Sequence, residues 1–310
     1  MKRFKNILFV ADRDDGLTTA LDRAVAVAGS NDARLTVLDV TPEAGLADVV
    51  KQSYAVDLNQ QIRQQRLETL EALVYPYTST GTQIYTTVVT GTPFLEIVRA
   101  VLRNDHDLVM KVAQHDSGLV PWLFGSTDMH LLRKCPCPVW IDRPNGEPSY
   151  KRLLAAVDPF DADSADLNCL ILDLATSLAE REHAALDVVH AWELPGESAL
   201  ASGRGRIPRT ELERLLLETE RRHREALNTM LSPYDLNSDT DHVHLVKGRP
   251  AKIISTYARE QHADLIVMGT LGRAGIPGLI IGNTAEDVLR QSQTAVLAVK
   301  PAAFVSPVTC

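Results

Sequence analysis

Asp264-Leu265-Ile266-Val267-Met268-Gly269-Thr270-Leu271-Gly272-Arg273 passes from a short unbroken apolar run into a glycine-rich stretch that continues to Gly282-Asn283-Thr284. An apolar run of this length, without polar alternation, needs cover on both faces, as a parallel strand between two helix layers does. The same run stands 157 positions earlier, as Asp107-Leu108-Val109-Met110. That offset recurs for Gly91-Thr92-Pro93 against Gly248-Arg249-Pro250, for Gly125 against Gly282, and for Leu132-Arg133 against Leu289-Arg290. Near the start of each copy the offset is 146, where Ile7-Leu8-Phe9-Val10-Ala11-Asp12 answers Leu153-Leu154-Ala155-Ala156-Val157-Asp158. The chain is one unit written twice. The expected limits are 1–146 and 147–310, joined near Asn145-Gly146-Glu147-Pro148. The second copy's excess of 11 residues is expected in the loop Glu197 to Pro208.

Within each copy, short apolar runs alternate with longer periodic ones. The first copy reads as strands near 6–11, 34–40, 83–89, 107–112 and 138–142, with helices near 16–29, 57–74, 93–104 and 126–134. The second reads as strands near 152–157, 185–191, 242–247, 264–268 and 295–299, and its long helix runs from about Thr210 to Leu231 with a charged outer face. Strand–helix alternation with continuous apolar strands gives an α/β fold, two tandem doubly wound parallel five-stranded sheets with right-handed crossovers.

Composition limits the function. A length of 310 residues suits two domains, and 45% hydrophobic with 23% charged residues is ordinary for a globular chain. The net charge of −8 repels phosphate backbones and anionic lipid, which argues against direct nucleic-acid or membrane binding. No apolar run approaches a membrane span of roughly 20 residues. The N-terminal run Ile7 to Ala11 is five residues long, short of a secretory core, so a cytoplasmic location is expected. Cys135, Cys137, Cys169 and Cys310 make no disulfide framework.

In an open parallel sheet, ligands bind beyond the carboxyl ends of the strands. In the second copy Asp158 ends the first strand there, and the glycine stretch follows the fourth. Backbone amides without a Cβ beside them, together with the helix N-terminus at Gly282 to Thr284, would suit a phosphate.

Asp at the end of the first strand, Gly-x-Pro before the third helix, and Gly269, Gly272 and Gly282 spaced as Gly-x2-Gly-x9-Gly resemble the universal stress protein family. The tandem copies resemble its E-type bacterial subfamily. The resemblance spans both halves and implies an adenine-nucleotide alpha-hydrolase-like fold with strand order 3-2-1-4-5. It also implies a role in stress survival and a pseudo-two-fold pair whose fifth strands, Pro138 to Asp142 and Ala295 to Val299, meet antiparallel. It further implies that ATP or a related adenine nucleotide, with its bound Mg, is held by Asp158, Met268, Gly269, Gly272, Arg273, Gly282, Asn283 and Thr284. A homodimer of chains is implied as well. The sequence departs from the ATP-binding pattern at Asn283, where Ser or Thr is usual. In the first copy Val112 and His115 replace Gly269 and Gly272, so that copy is expected to bind no nucleotide, with Val112 crowding a phosphate.

Other polar residues have plainer readings. Asp12, Asp14 and Asp15 can end a strand or cap a helix. Cys135-Pro136-Cys137-Pro138 lacks zinc-knuckle spacing and reads as a buried lead-in to the fifth strand. His242 and His244 alternate on one strand face, as edge polarity or as a two-histidine metal site. His190 ends its strand near the expected crevice. No catalytic triad, His-Glu-x-x-His or P-loop is present. Besides a nucleotide-binding regulator, the sequence leaves open a scaffold with a vestigial cradle or other small ligand, and at most a slow ATPase.

Overall fold

The computed structural model describes residues 3–12, 16–43, 45, 57–113, 124–144, 146–160, 165–202, 205–236, 238, 240–270 and 282–309. The first half runs β1 (Asn6–Val10), α1 (Leu17–Asn31), β2 (Arg34–Thr41), α2 (Leu58–Val74), β3 (Ile84–Thr90), α3 (Pro93–Asn104), β4 (Leu108–Val112), α4 (Ser126–Lys134) and β5 (Val139–Asp142). The second half runs β6 (Arg152–Ala156), α5 (Ala165–Glu182), β7 (Ala185–Trp192), α6 (Glu197–Ser202), α7 (Arg209–Leu231), β8 (Val243–Lys247), α8 (Pro250–Glu260), β9 (Leu265–Gly269), α9 (Asn283–Gln291) and β10 (Ala295–Val299).

The strands form one ten-stranded sheet in the order β3-β2-β1-β4-β5-β10-β9-β6-β7-β8. Read from its own first strand, each half has the order 3-2-1-4-5, all parallel. The two halves meet where β5 pairs antiparallel with β10, Trp140 opposite Leu297. The fifth strands thus meet antiparallel as the resemblance implies, and each half's apolar edge covers the other's in one continuous sheet.

Side-chain alternation along the strands feeds two helix layers. Ile7, Phe9, Leu265 and Val267 join Leu21, Leu70, Leu174 and Leu227 of α1, α2, α5 and α7 on one face. Leu8, Val10, Ile266 and Met268 join Ile97, Leu131, Ile254 and Val288 of α3, α4, α8 and α9 on the other. Equivalent helices of the two halves therefore share a face, as a pseudo-two-fold arrangement requires.

Local geometry repeats with the sequence. Left-handed residues end matching helices, Asp32 (φ 49°) with His183 (φ 53°) and Asp105 (φ 53°) with His262 (φ 52°). Gly91 (φ 151°) and Gly248 (φ 143°) turn into α3 and α8, a conformation rarely open to other residues. These pairs also locate the excess of the second copy. Asp32 and His183 stand 151 positions apart, as do Asp57 and Pro208, the residues preceding α2 and α7. The loop Glu197 to Pro208 thus adds nothing. Five residues enter between β6 and the end of α5. The other six lengthen the long helix, from 17 residues in α2 to 23 in α7.

The connection between halves is tied down from the first. Arg23 on α1, buried, pairs with Asp142, and its Nη2 donates to the Glu147 carbonyl at 2.6 Å. The Tyr150 hydroxyl donates to Asp142 (3.0 Å) and accepts from Trp140 Nε1 (3.1 Å).

Candidate functional site

The carboxyl ends of β6 and β9 and the start of α9 converge as the topology demands. Asp158 follows β6 and is held by Asn168 of α5, which accepts from the Asp158 amide (3.1 Å) and donates to its carbonyl (2.9 Å). Asp158 Oδ1 accepts from the Phe160 amide at 3.1 Å, so the carboxylate shapes the turn after the strand. Asn168 escaped the sequence reading because the matching position of the first half, Leu17, gives no hint of it.

Met268 is buried in β9. Gly269 ends the strand, and a Cβ on it would stand 2.8 Å from Leu167 Cδ2, so the glycine admits the close approach of α5. Its counterpart Val112 lies buried on the same helix-facing side, in the cluster shared with α1. The glycine–valine exchange is thus a matter of helix packing. Val112 does not crowd the crevice as expected, because its side chain points into the sheet-helix core.

Thr270 donates its amide to the Val299 carbonyl (3.0 Å), and its own carbonyl accepts from the Gly282 amide (2.7 Å). The chain is pinned to the same point on both sides of the glycine stretch. Gly282 is the N-cap of α9 and contributes no side-chain cap. Asn283 and Thr284 open the helix, Asn283 exposed and Thr284 half-buried, while Ala285 is buried. Gly272 and Arg273, like His115, Asp14 and Asp15 of the first half, lie outside the described residues.

The first half has filled the equivalent place with its own charges. Lys111, wholly buried near the end of β4, puts Nζ 2.7 Å from Asp128 Oδ1 and 3.6 Å from Asp12 Oδ2, and donates to the Val112 carbonyl at 2.7 Å. Asp128, wholly buried in the first turn of α4, also accepts from the Gly125 amide at 2.9 Å. By the 157 offset, Lys111 and Asp128 correspond to Met268 and Ala285. A lysine inside the apolar run Leu108 to Val112, followed by an acid in the next helix's first turn, was the available signal for this pair.

The sequence profile described as the universal stress protein family matches residues 3–143 and again 149–300. The chain belongs to the universal stress protein family. Universal stress protein E of Escherichia coli K12 is 29% identical over 99% of this chain and 98% of its own length. A Haemophilus influenzae homologue of universal stress protein E is 26% identical over 96% of this chain and 98% of its own. Among solved structures, a candidate universal stress protein from Pseudomonas aeruginosa superposes with a TM-score of 0.76 at 25% identity, covering 97% of this chain and 95% of that one. A universal stress protein from Archaeoglobus fulgidus shares the fold, with a TM-score of 0.63 at 19% identity over 95% of this chain and 98% of that one. The chain is thus a tandem universal stress protein, with two family units in one polypeptide.

The remaining polar residues group away from the glycine stretch. His190 is buried between the Val157 carbonyl (3.0 Å from Nδ1) and His223 of α7 (2.7 Å from Nε2). His242 and His244 approach one oxygen of buried Asp187 at 3.1 and 3.6 Å, while Arg152 pairs with the other at 2.6 Å. Arg152 thus already supplies the cation at this carboxylate. Among the described residues no three His, Cys, Asp or Glu side chains group to hold a metal ion, and no helix is long and apolar enough to cross a membrane.

Proposed function

We propose that this tandem universal stress protein is a stress-response regulator that takes ATP or a related adenine nucleotide in its second unit, residues 147–310. The first unit, residues 1–146, takes none. The observation that carries the reading is the exchange of Lys111 and Asp128 for Met268 and Ala285. In the first unit, Asp128 supplies negative charge to the start of α4 and Lys111 neutralises it. In the second unit neither of these positions is charged, the acid in the first turn of α9, Glu286, is paired with Arg133 and Arg290, and the helix begins on a glycine without a side-chain cap. The positive end of a helix favours an anion, and a phosphate group supplies there what Asp128 supplies in the other half.

Asn283 and Thr284 offer hydrogen-bonding side chains to phosphate or ribose oxygens. By the resemblance, Asp158 stands toward the base, Gly269, Gly272 and Gly282 line the phosphates with their bound Mg, and Met268 and Arg273 belong to the same nucleotide site. The nucleotide acts in this reading as a ligand that biases the paired units, with no turnover assigned. The acidic surface fits a cytoplasmic protein without a direct nucleic-acid target, whose further association would be a homodimer.

Titration calorimetry of the full chain with MgATP is the test. One site per chain is expected, lost in Met268→Lys/Ala285→Asp, which rebuilds the first unit's internal pair in the second. No binding at millimolar nucleotide would overturn the reading in favour of a scaffold. So would full binding by the double variant.

A further inference from the structure

Cys135 and Cys137 take no part in the reading proposed for the strand-tip crevice. Cys135 follows α4 in an extended conformation (φ −69°, ψ 132°), and Cys137 leads into β5. Both are buried, and their sulfurs stand 3.5 Å apart. Lys300, just past β10, brings its ammonium to the same junction of the two halves. Its Nζ donates to the Cys135 carbonyl at 2.5 Å and lies 4.2 Å from the ring centre of Phe304. Burial pushes the Cys135 thiol up, but the hydrogen bond from Cys137 and the Lys300 ammonium together bring it below the ordinary thiol value.

The segment after Lys300 runs beside this pair. Ser306 Oγ donates to the Lys134 carbonyl (2.7 Å), next to Cys135. Val308 packs on the cluster that contains both cysteines. Arg99 Nε donates to the Thr309 carbonyl (3.4 Å) and anchors the far end. Two sulfurs near contact, a cation beside them and a surface strap are more than a strand lead-in requires.

We propose that Cys135 and Cys137 are a reversible dithiol–disulfide pair that reacts with hydrogen peroxide, with residues 301–309 governing access. The Cys135 thiolate attacks one peroxide oxygen, the O–O bond breaks, and the departing hydroxide takes up a proton, leaving a sulfenic acid. The Cys137 sulfur then attacks the sulfenic sulfur, its proton leaves with the hydroxyl as water, and the S–S bond forms. Two thiols give up two electrons and two protons, and one peroxide becomes two waters. A soluble dithiol reverses the oxidation by two exchange steps. The sulfurs need to close by about 1.5 Å to reach bonding distance. Two residues of chain span at most about 7 Å, and the bend at Pro136 and Cys137 shortens that span, so the pair stays within reach of a disulfide. Closure pulls on the residue whose carbonyl Lys300 holds, which couples oxidation to the strap.

The test uses the full chain carrying Cys169→Ser and Cys310→Ser, treated with hydrogen peroxide, then alkylated and weighed intact. Loss of two hydrogens, resistance to alkylation and recovery with dithiothreitol are expected. Cys137→Ser added to this chain should instead accumulate a dimedone-reactive sulfenic acid. Lys300→Met should slow the reaction about tenfold for each unit by which the thiol pKa rises. A chain ending at Lys300 should react faster than the parent. A pair that gains only oxygen, or stays reduced under peroxide that oxidises Cys169 in the parent protein, overturns the dithiol. An unchanged rate in the shortened chain overturns the strap.

Discussion

Replacing Lys111 by Met takes from the wholly buried Asp128 the ammonium 2.7 Å from its Oδ1, while the Gly125 amide stays on Oδ2. Breaking one side of a buried ion pair costs about 3–5 kcal/mol, because the surviving charge keeps its desolvation penalty without its partner. Asp128→Ala should cost a similar amount. It strands the ammonium with Asp12 at 3.6 Å and the Val112 carbonyl, and takes the acceptor from Gly125. The double replacement Lys111→Met/Asp128→Ala installs the residues that the second half carries at these positions. Exchanging a buried pair for apolar groups is often neutral or stabilising, so the double variant should lie within about 2 kcal/mol of the parent. Asp12 loses the Lys111 ammonium at 3.6 Å in that variant, but its side chain is 11% exposed and water reaches it. The single costs would sum to roughly 6–10 kcal/mol, leaving a coupling of several kcal/mol. Urea unfolding followed by circular dichroism measures the cycle. Single variants that each cost under about 1 kcal/mol and simply add would show that Lys111 and Asp128 are not a desolvated pair. The electrostatic argument for the second unit would fail with them.

Three further outcomes follow from packing and charge. Gly269→Ala puts a Cβ 2.8 Å from Leu167 Cδ2 and should cost about 1–3 kcal/mol in thermal unfolding, partly recovered by adding Leu167→Ala; no loss would mean α5 is free to retreat. Arg133→Ala breaks the 2.9 Å pair with Glu286 that links α4 to α9 across the halves; both side chains are partly exposed, so the cost should stay under about 1 kcal/mol and shrink in salt. Burial pushes Lys300 down to about 8 from 10.5, so the unfolded chain holds the extra proton between those values and stability should rise with pH across that window. The rise should reach about 3 kcal/mol in a Cys135→Ser/Cys137→Ser chain and vanish when Lys300→Met is added; an equal rise in both would assign it to another group.

The architecture was legible because it is written twice. Constant spacing of Asp107 and Asp264, and of Gly91 and Gly248, fixes equivalent strands and turns, and the left-handed Asp105 and His262 keep that spacing in three dimensions. Six of the 11 extra residues escape notice because added helical turns leave no mark on a charged surface helix. Glu211, Arg214, Glu218, Arg221 and Arg222 pair along α7 at helical spacing and would do so at either length. The antiparallel seam of β5 and β10 came from family resemblance, since an apolar strand alone does not say what covers its edge. The site was half legible. Asp158 and Gly282 stand out by position and Lys111 by its place in an apolar run, whereas the contacts of Asn168 with Asp158 and of Lys111 with Asp128 join residues 10 and 17 positions apart in space.

The two units differ most in where they bury charge. In the first, Lys111 with Asp12 and Asp128 lies at the carboxyl ends of the strands, and Asp39 meets Arg66 at 2.5 Å toward the same end of β2. In the second, Met268 and Ala285 replace the first set, and at the Asp39 position, 151 residues on, His190 faces His223. The buried Asp187 pairs with Arg152 at the opposite, amino ends of β6 and β7, where the first half has Thr36 and Asn6. A parallel sheet binds ligands at its carboxyl ends. Internal pairs placed there occupy the field that an anionic ligand would use, and pairs placed at the amino ends do not. Under the function proposed above, one backbone then supplies a unit closed by its own charges and a unit that takes its anion from outside.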